Sequence, residues 1–513
     1  MEFRAAVFFL FLYYIRPQDW ITGLAGFNIM RPMILIWAVG LHGSRQRSPY
    51  PGVLRTPHDW VMLAYWGWVV WTAPDAQGTL TAFLPLVVFY AFTVQSLTSW
   101  DRLLVYLKAW NYAILSVALI AVASLYKIDF TGAIEMTEIN EGRLAIGTWM
   151  HNNPNALGHS VAVVVPLSFL LHFWRSGLVG KMVIFPLQSA LALYCIYETQ
   201  SKGAFLVSAA MMVMIFVIGR PLPVKIFALA LAFSLGVSAL SFLPRMSDMN
   251  SLSSEQGVQG RLMAWELAKT AMERSPAGWK QFIAYINWFG LTIKKATHSS
   301  YVQVGADLGV NGLFIYLLAL WASIRTTLQI HRFTVENDDQ ERCRRAAMLL
   351  IIAYAVSSWM INREYHTEYF LLIAVSAAMH RLHLANEAND ELKKLDGGHD
   401  GQTSDEVSVQ MIPQGISLSY GQGMLAPIDM LSDVKDYSTS TTGRRKLLRD
   451  HLPPSGGAPR GAESVMPGIT VEKPIDVSEP KKTWNRIGFL DLAAAGMLTW
   501  VTIYIWEYVL KNL

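Results

Sequence analysis

The strongest constraint on this chain is a train of apolar segments, each about long enough to cross a bilayer, that runs from residue 2 to about residue 384. Hydrocarbon offers a backbone no water to bond to, so such segments must close their own hydrogen bonds as helices. They fall at roughly 2–16, 24–43, 58–73, 79–99, 103–126, 155–174, 180–198, 203–219, 222–243, 300–330, 345–362 and 367–384. The pattern predicts an all-α polytopic membrane protein with about twelve transmembrane helices in its main body. The first segment, Ala5 to Ile15, runs into Arg16-Pro17-Gln18-Asp19-Trp20 without a small-residue cleavage site, so it reads as a retained first helix.

Lys and Arg collect in the cytoplasmic connections of such proteins. With the N-terminus cytoplasmic, the even connections hold Arg45, Arg47 and Arg55, then Arg102, then Arg175 and Lys181, then Arg220 and Lys225, then Arg332, Arg342, Arg344 and Arg345. The odd connections hold Asp75, then the acidic Asp129, Glu135, Glu138 and Glu141. The polar interval 243–300 is thereby expected on the extracytoplasmic face. Inside it Leu262, Trp265, Ala268 and Met272, spaced by three and four, predict a helix over Arg261 to Ser275 with one apolar face, ended by Pro276 and Gly278.

Residues 385–485 turn to Gly, Ser, Thr, Pro and charged side chains without a sustained period, which predicts a disordered cytoplasmic tail beyond the 1–384 body. Its Arg444-Arg445-Lys446-Leu447-Leu448-Arg449 run reads as solvated charge. Gly488 to Leu510 is apolar again and is flanked by Lys481, Lys482 and Arg486, so residues 486–513 are expected to form one further span that starts on the cytoplasmic side. A formal charge of +4 is too small to suggest nucleic acid as a partner, and two separated cysteines, Cys195 and Cys343, form neither a disulfide framework nor a metal cluster.

In this orientation the even-numbered helices begin at the extracytoplasmic face, where four starts are polar. His151-Asn152-Asn153-Pro154-Asn155 precedes the sixth helix, Thr199-Gln200-Ser201-Lys202-Gly203 the eighth, Thr297-His298-Ser299-Ser300 the tenth, and Asn362-Arg363-Glu364-Tyr365-His366 the twelfth. Helix N-termini favour anions, and Lys202, Arg261 and Arg363 add cations where the topology otherwise removes them. Singly, each has a plainer role: Lys202 snorkels, Arg363 pairs with Glu364, His298 is an interfacial histidine, Asn153 and Asn155 cap a helix. Together they describe a cationic pocket suited to a polyprenyl diphosphate sugar donor, with His298 as general base for an acceptor hydroxyl. No Asp-x-Asp stands in the first outer loop and no cofactor or metal is required.

At these residues the sequence resembles the O-antigen ligase and O-antigen polymerase superfamily of bacterial membrane proteins, over roughly residues 140 to 380. Thr199-Gln200-Ser201-Lys202-Gly203-Ala204 resembles that family's Thr-x-Ser-Arg-Gly segment. Gly260-Arg261 with Trp265 and Ser275-Pro276-Ala277-Gly278 resembles its Arg-x-x-x-Trp and Pro-x-Gly stretch. His298-Ser299-Ser300-Tyr301 followed by Gly305 to Leu313 resembles its His-Asn-x-Tyr and Gly-Leu-x-Gly pattern. Gly147 to Asn155 and Arg16-Pro17-Gln18 resemble a subgroup described as O-glycosylation ligases. Lys202 stands for the family's arginine and Ser299 for its asparagine. The resemblance implies a glycosyltransferase of the bacterial inner membrane that moves a glycan from a polyprenyl (undecaprenyl) diphosphate carrier to an extracytoplasmic glycan, lipid or protein acceptor, as in lipopolysaccharide assembly. Catalysis would fall to His298, Arg261 and Lys202, and substrate binding to Arg363, Asn153, Asn155, Tyr301 and Trp265. An exopolysaccharide polymerase is the nearest alternative, and a lipid-linked glycan transporter or a structural scaffold are alternatives from other classes.

Overall fold

The computed structural model describes residues 1–27, 29–45, 54–148, 150–217, 256–278, 282–288, 291–330, 338–397 and 486–512, with isolated positions between 221 and 230. Apart from those isolated positions, the expected helix at 222–243 lies outside the described residues, as do the opening of the 243–300 interval and the tail from 398 to 485 with its Arg444 to Arg449 run.

The protein is mostly helical. In chain order the helices are α1 (Glu2–Ile15), α2 (Met30–Arg45), α3 (Pro57–Thr72), α4 (Ala76–Ser96), α5 (Trp100–Leu125) and the short α6 (Ala133–Ile139). Then come α7 (Pro154–Phe173) and α8 (Gly180–Thr199), each including a π-helical turn. After them follow α9 (Lys202–Val217), α10 (Gln256–Arg274), α11 (Ser300–Ile330), α12 (Asp338–Ser357), α13 (Thr367–Gly397) and α14 (Phe489–Asn512).

Apart from α6, which falls in a stretch read as an acidic connection, these helices lie within several residues of the apolar segments and the 261–275 helix expected, with three instructive shifts. The α2 start moves from 24 to Met30, past Gly26, whose φ is +80°. The α12 start moves from 345 back to Asp338, because Asp338, Asp339 and Glu341 in the first turn suit the positive helix end. The α13 end moves from 384 to Gly397, through the good helix formers Glu391, Leu392, Lys393 and Lys394.

The expected count of about twelve spans is not confirmed. Among the described residues six helices are long and apolar enough to cross a membrane: α4, α5, α7, α8, α11 and α14. Helices α1, α2 and α3 hold 14, 16 and 16 residues, and 16 residues rise only ~24 Å. Helices α12 and α13 carry charge. The segments are helical as expected; their length and polarity are what set them apart.

Helix α11 is the hub, packing on α3, α10, α12, α13 and α14. Its core is a tyrosine cluster: the Tyr316 and Tyr369 rings stack at 4.6 Å. Three buried hydroxyls of the cluster are engaged, as burial of an O–H favours. Tyr316 donates to the Tyr354 hydroxyl (3.0 Å), Tyr354 to the Arg363 carbonyl (3.0 Å) and Tyr369 to the Tyr316 carbonyl (3.1 Å).

A kink in α11 fits it to the polar interval. Gly309 has φ 69° and ψ −175°, a conformation essentially confined to glycine. A Cβ there would lie 2.1 Å from the Pro276 carbonyl oxygen, and one on Gly278 (φ +78°) would lie 2.3 Å from the Asp307 backbone. The Pro276-Ala277-Gly278 turn therefore presses backbone to backbone on the kink. Trp68 of α3 donates its indole N–H to the Leu308 carbonyl at 3.0 Å beside the break.

Candidate functional site

The four polar helix starts meet. Asn153 caps α7, its Oδ1 accepting from the Asn155 amide at 2.8 Å. Asn155 Oδ1 in turn accepts from the Ser201 hydroxyl before α9 (2.7 Å) and from Arg143 Nη2 (2.9 Å). Arg143 also donates to the Thr199 carbonyl, tying the 140–152 segment to the same corner. Between α7 and α9 the fit is tight: a Cβ on Gly203 would come within 2.9 Å of His159 Nε2 and 3.0 Å of Met360 Sδ. That close approach explains a glycine directly after Lys202, which itself is half-buried.

The starts of α11 and α13 are joined just as closely. The Ser300 amide donates to the Ser358 carbonyl (2.7 Å), and its hydroxyl donates to the Ile361 carbonyl and accepts from the Arg363 amide, both at 2.8 Å. Ser299 caps α11, accepting from the Val302 amide at 3.4 Å, and donates to the Ser358 carbonyl at 3.2 Å. The turn that these two serines anchor is what holds His298. His298 adopts φ +52°, the left-handed region that costs a non-glycine residue ~1–2 kcal/mol.

Helix α10 lies against this turn. Its predicted apolar face is present: Ala268 and Met272 are buried with Ala271, against Val302 and Ala306 of α11, and Trp265 packs at their edge. Trp265 Nε1 donates to the Thr297 carbonyl at 2.7 Å. Its ring lies 6.2 Å from that of Trp359, which lies 5.0 Å from Tyr301. Arg261, on the same helix, is near enough to His298 and to His159 for its charge to act on both. Burial, then the Arg261 and Lys295 charges, lower the His298 pKa from its ordinary value to about 4. At neutral pH the imidazole is therefore uncharged and able to accept a proton.

Two of the expected residues are engaged by the protein itself. Arg363 is buried: Nη1 meets Glu368 at 2.7 Å, and Nη2 donates to the Ala156 carbonyl (2.7 Å) and the Ser160 hydroxyl (2.8 Å). Its partner is Glu368, not the neighbouring Glu364, whose pKa burial and nearby Asp307 raise to about 8. Tyr301 turns inward, its hydroxyl donating to the Ala355 carbonyl at 2.7 Å. Behind the site lies a cavity of about 40 Å³ lined by Tyr14, His159, Ser160, Ser357, Arg363 and Glu368 among others, room for a buried water.

Sequence reasoning missed three contributors. Lys295 ends an unexpected hairpin, β1 (Ala284–Trp288) and β2 (Leu291–Lys295), antiparallel with Ile286 opposite Ile293. Its side chain lies over the Gly260 backbone, beside Arg261. The signal was the Lys294-Lys295 pair just before Thr297. His159, whose Nδ1 lies 2.9 Å from the Ser357 hydroxyl, interrupts an apolar run one turn after Asn155. Arg143 lay unnoticed in a loop read as acidic. Among the described residues no three His, Cys, Asp or Glu side chains are grouped to hold a metal ion.

These features define a multi-pass helical membrane protein in which four helix starts, a neutral histidine on a left-handed turn and several bases converge. Residues 187–317 match the family model for O-antigen ligase. The match supports a domain of the O-antigen ligase and polymerase superfamily over these residues and indicates a membrane enzyme of that type. The match includes Lys202, Arg261, Lys295 and His298, whereas Asn153, Asn155, Arg363 and α14 lie outside it. No curated protein matches the chain.

Proposed function

We propose that the protein is a membrane glycosyltransferase of the O-antigen ligase type, transferring a glycan from a polyprenyl diphosphate carrier to an acceptor outside the cytoplasm. The observation that carries this is the neutral His298, held on a strained turn beside Arg261 and Lys295. A base that must take a proton and cations that must receive a diphosphate are needed within one pocket, and this is such a pair.

In the reaction, the acceptor hydroxyl oxygen bonds to the anomeric carbon as that carbon's bond to the phosphate oxygen breaks. The hydroxyl proton passes to the His298 imidazole. The bonding electrons leave with polyprenyl diphosphate, whose charge Arg261 and Lys202 offset, without a metal ion. Lys202 offers a point charge where arginine offers a fork, so Arg261 supplies the directional contact. Asn153, Asn155, Trp265, Tyr301 and Arg363 shape the pocket. The site faces the extracytoplasmic side of a bacterial inner membrane, with the N-terminus cytoplasmic, in accord with the distribution of bases.

The test is glycan transfer from a purified polyprenyl diphosphate donor in detergent with EDTA present. Transfer by the wild type, lost in His298→Ala and in Arg261→Ala, is expected. Donor binding without transfer under any condition would replace the enzyme with a lipid-linked glycan carrier.

A further inference from the structure

Helix α14 lies outside the matched family region, yet it is docked along about two thirds of α11. Near one end Asp491, buried, pairs with Arg325 and accepts from Trp321 Nε1 at 3.1 Å. At the other end Trp506 is 1% exposed and lies against Gly305, where a Cβ would meet its ring at 3.1 Å. The helices are therefore antiparallel over some 20 residues of α11, ~30 Å. Trp506 reaches past α11: it shares one apolar cluster with Ala268, Ala271 and Met272 of α10 and with Val302 and Ala306 of α11. Next to it Glu507 meets Lys269 of α10 at 3.2 Å.

We propose that α14 is a positioning clamp for the donor site. Trp506 fills the wedge between α10 and α11, and Glu507 fastens α10 from outside, so that Arg261 on α10 is held in register with His298 before α11. In that wedge α10 presents alanines and Met272, small side chains between which the indole is the largest fully buried group, with Trp265, Phe282, Ile503 and Leu510 packed at the edge. Trp506 and Glu507 touch no reacting atom; they act through α10. The clamp rests on the assignment of Arg261 to the diphosphate.

The probe is undecaprenyl diphosphate, the carrier alone, titrated into the full-length protein in detergent beside the transfer assay. Trp506→Ala should weaken carrier binding, and raise the donor KM, on the order of tenfold or more, with the acceptor KM unchanged. Trp506→Phe, which keeps an aromatic wedge, should recover most of the loss. Glu507→Lys and Lys269→Glu should each weaken binding, and the double exchange should restore it, which a general loss of folding would not do. Wild-type binding by Trp506→Ala, with Arg261→Ala defective, overturns the clamp and leaves the site standing. Wild-type binding by both overturns the diphosphate assignment on which the clamp rests. Equal rises in donor and acceptor KM, without recovery in the charge exchange, reduce α14 to a structural helix and also overturn the proposal.

Discussion

The indole N–H of Trp265 donates to the carbonyl oxygen of Thr297 at 2.7 Å, which joins the helix bearing Arg261 to the residue before His298. Trp265→Phe keeps a ring against Trp359 and removes only the donor. One half-buried hydrogen bond contributes ~1 kcal/mol to stability, so melting should change little. Transfer should nevertheless fall roughly tenfold if His298 and Arg261 act as the proposed base and cation, because the bond joins their two segments. Comparing melting temperature with initial rate in the purified variant checks this; an unchanged rate would make the bond purely structural.

If His298 is the base, as proposed, its low pKa should give transfer an unusual acid limb. An ordinary histidine loses its base form as pH falls through ~6.5. Here the folded value is about 4, so kcat/KM, which reports the free enzyme, should stay flat through pH 6 and decline only on approach to pH 4. Lys295→Gln removes a repelling charge, raises the His298 pKa and should move the limb to higher pH. A wild-type limb centred at 6.5, measured over pH 4 to 8, would contradict the cationic surroundings of the imidazole.

How far the sequence foretold this site depends on the range of the forces involved. Apolar runs found the helices because burial in hydrocarbon acts on every residue of a segment. The four polar starts were legible because clustered bases and amides at helix ends interrupt the apolar pattern. Long-range partners were not: Arg363 reaches Glu368, Ala156 and Ser160, none adjacent in sequence. Nor does an alternation as short as 284–288 separate a strand from a loop, so Lys295 went unseen. The span count is not confirmed for a different reason, since 14- and 16-residue helices look in sequence like spans whose ends are merely blurred.

The Arg363–Glu368 pair should be costly to break on one side. Both are buried, and Tyr14 adds a hydrogen bond to Glu368 at 2.8 Å. Glu368→Gln leaves a buried guanidinium without its counter-charge and should destabilise the protein by ~3–5 kcal/mol. Replacing both, as Arg363→Met with Glu368→Met, should cost less than the single change. Thermal unfolding in detergent measures the three variants; a double mutant worse than Glu368→Gln would show that Arg363 has a role beyond balancing that carboxylate. Glu364→Gln is the contrast: with a pKa near 8 the carboxyl is already mostly neutral at pH 7, and the amide should be tolerated.

The junction of Gly278 with Gly309 makes the sharpest steric prediction. Both have positive φ, and a Cβ on either would sit 2.1–2.3 Å from backbone atoms of the other segment, which cannot swing aside as a flexible side chain would. Gly278→Ala or Gly309→Ala should therefore destabilise by more than ~2 kcal/mol, combining strain with forced separation. Separation would also drag the end of α10 away from α11, so residual folded protein should transfer glycan slowly. Gly67→Ala in α3 is the control, because nothing lies within 4 Å of its Cβ position. There alanine should be neutral or stabilising by ~0.5–1 kcal/mol, having less conformational freedom to lose. Equal melting temperatures for Gly67→Ala and Gly278→Ala would mean that the turn can move off the kink, and the close packing of the Pro-x-Gly stretch on α11 would no longer explain why glycine stands there.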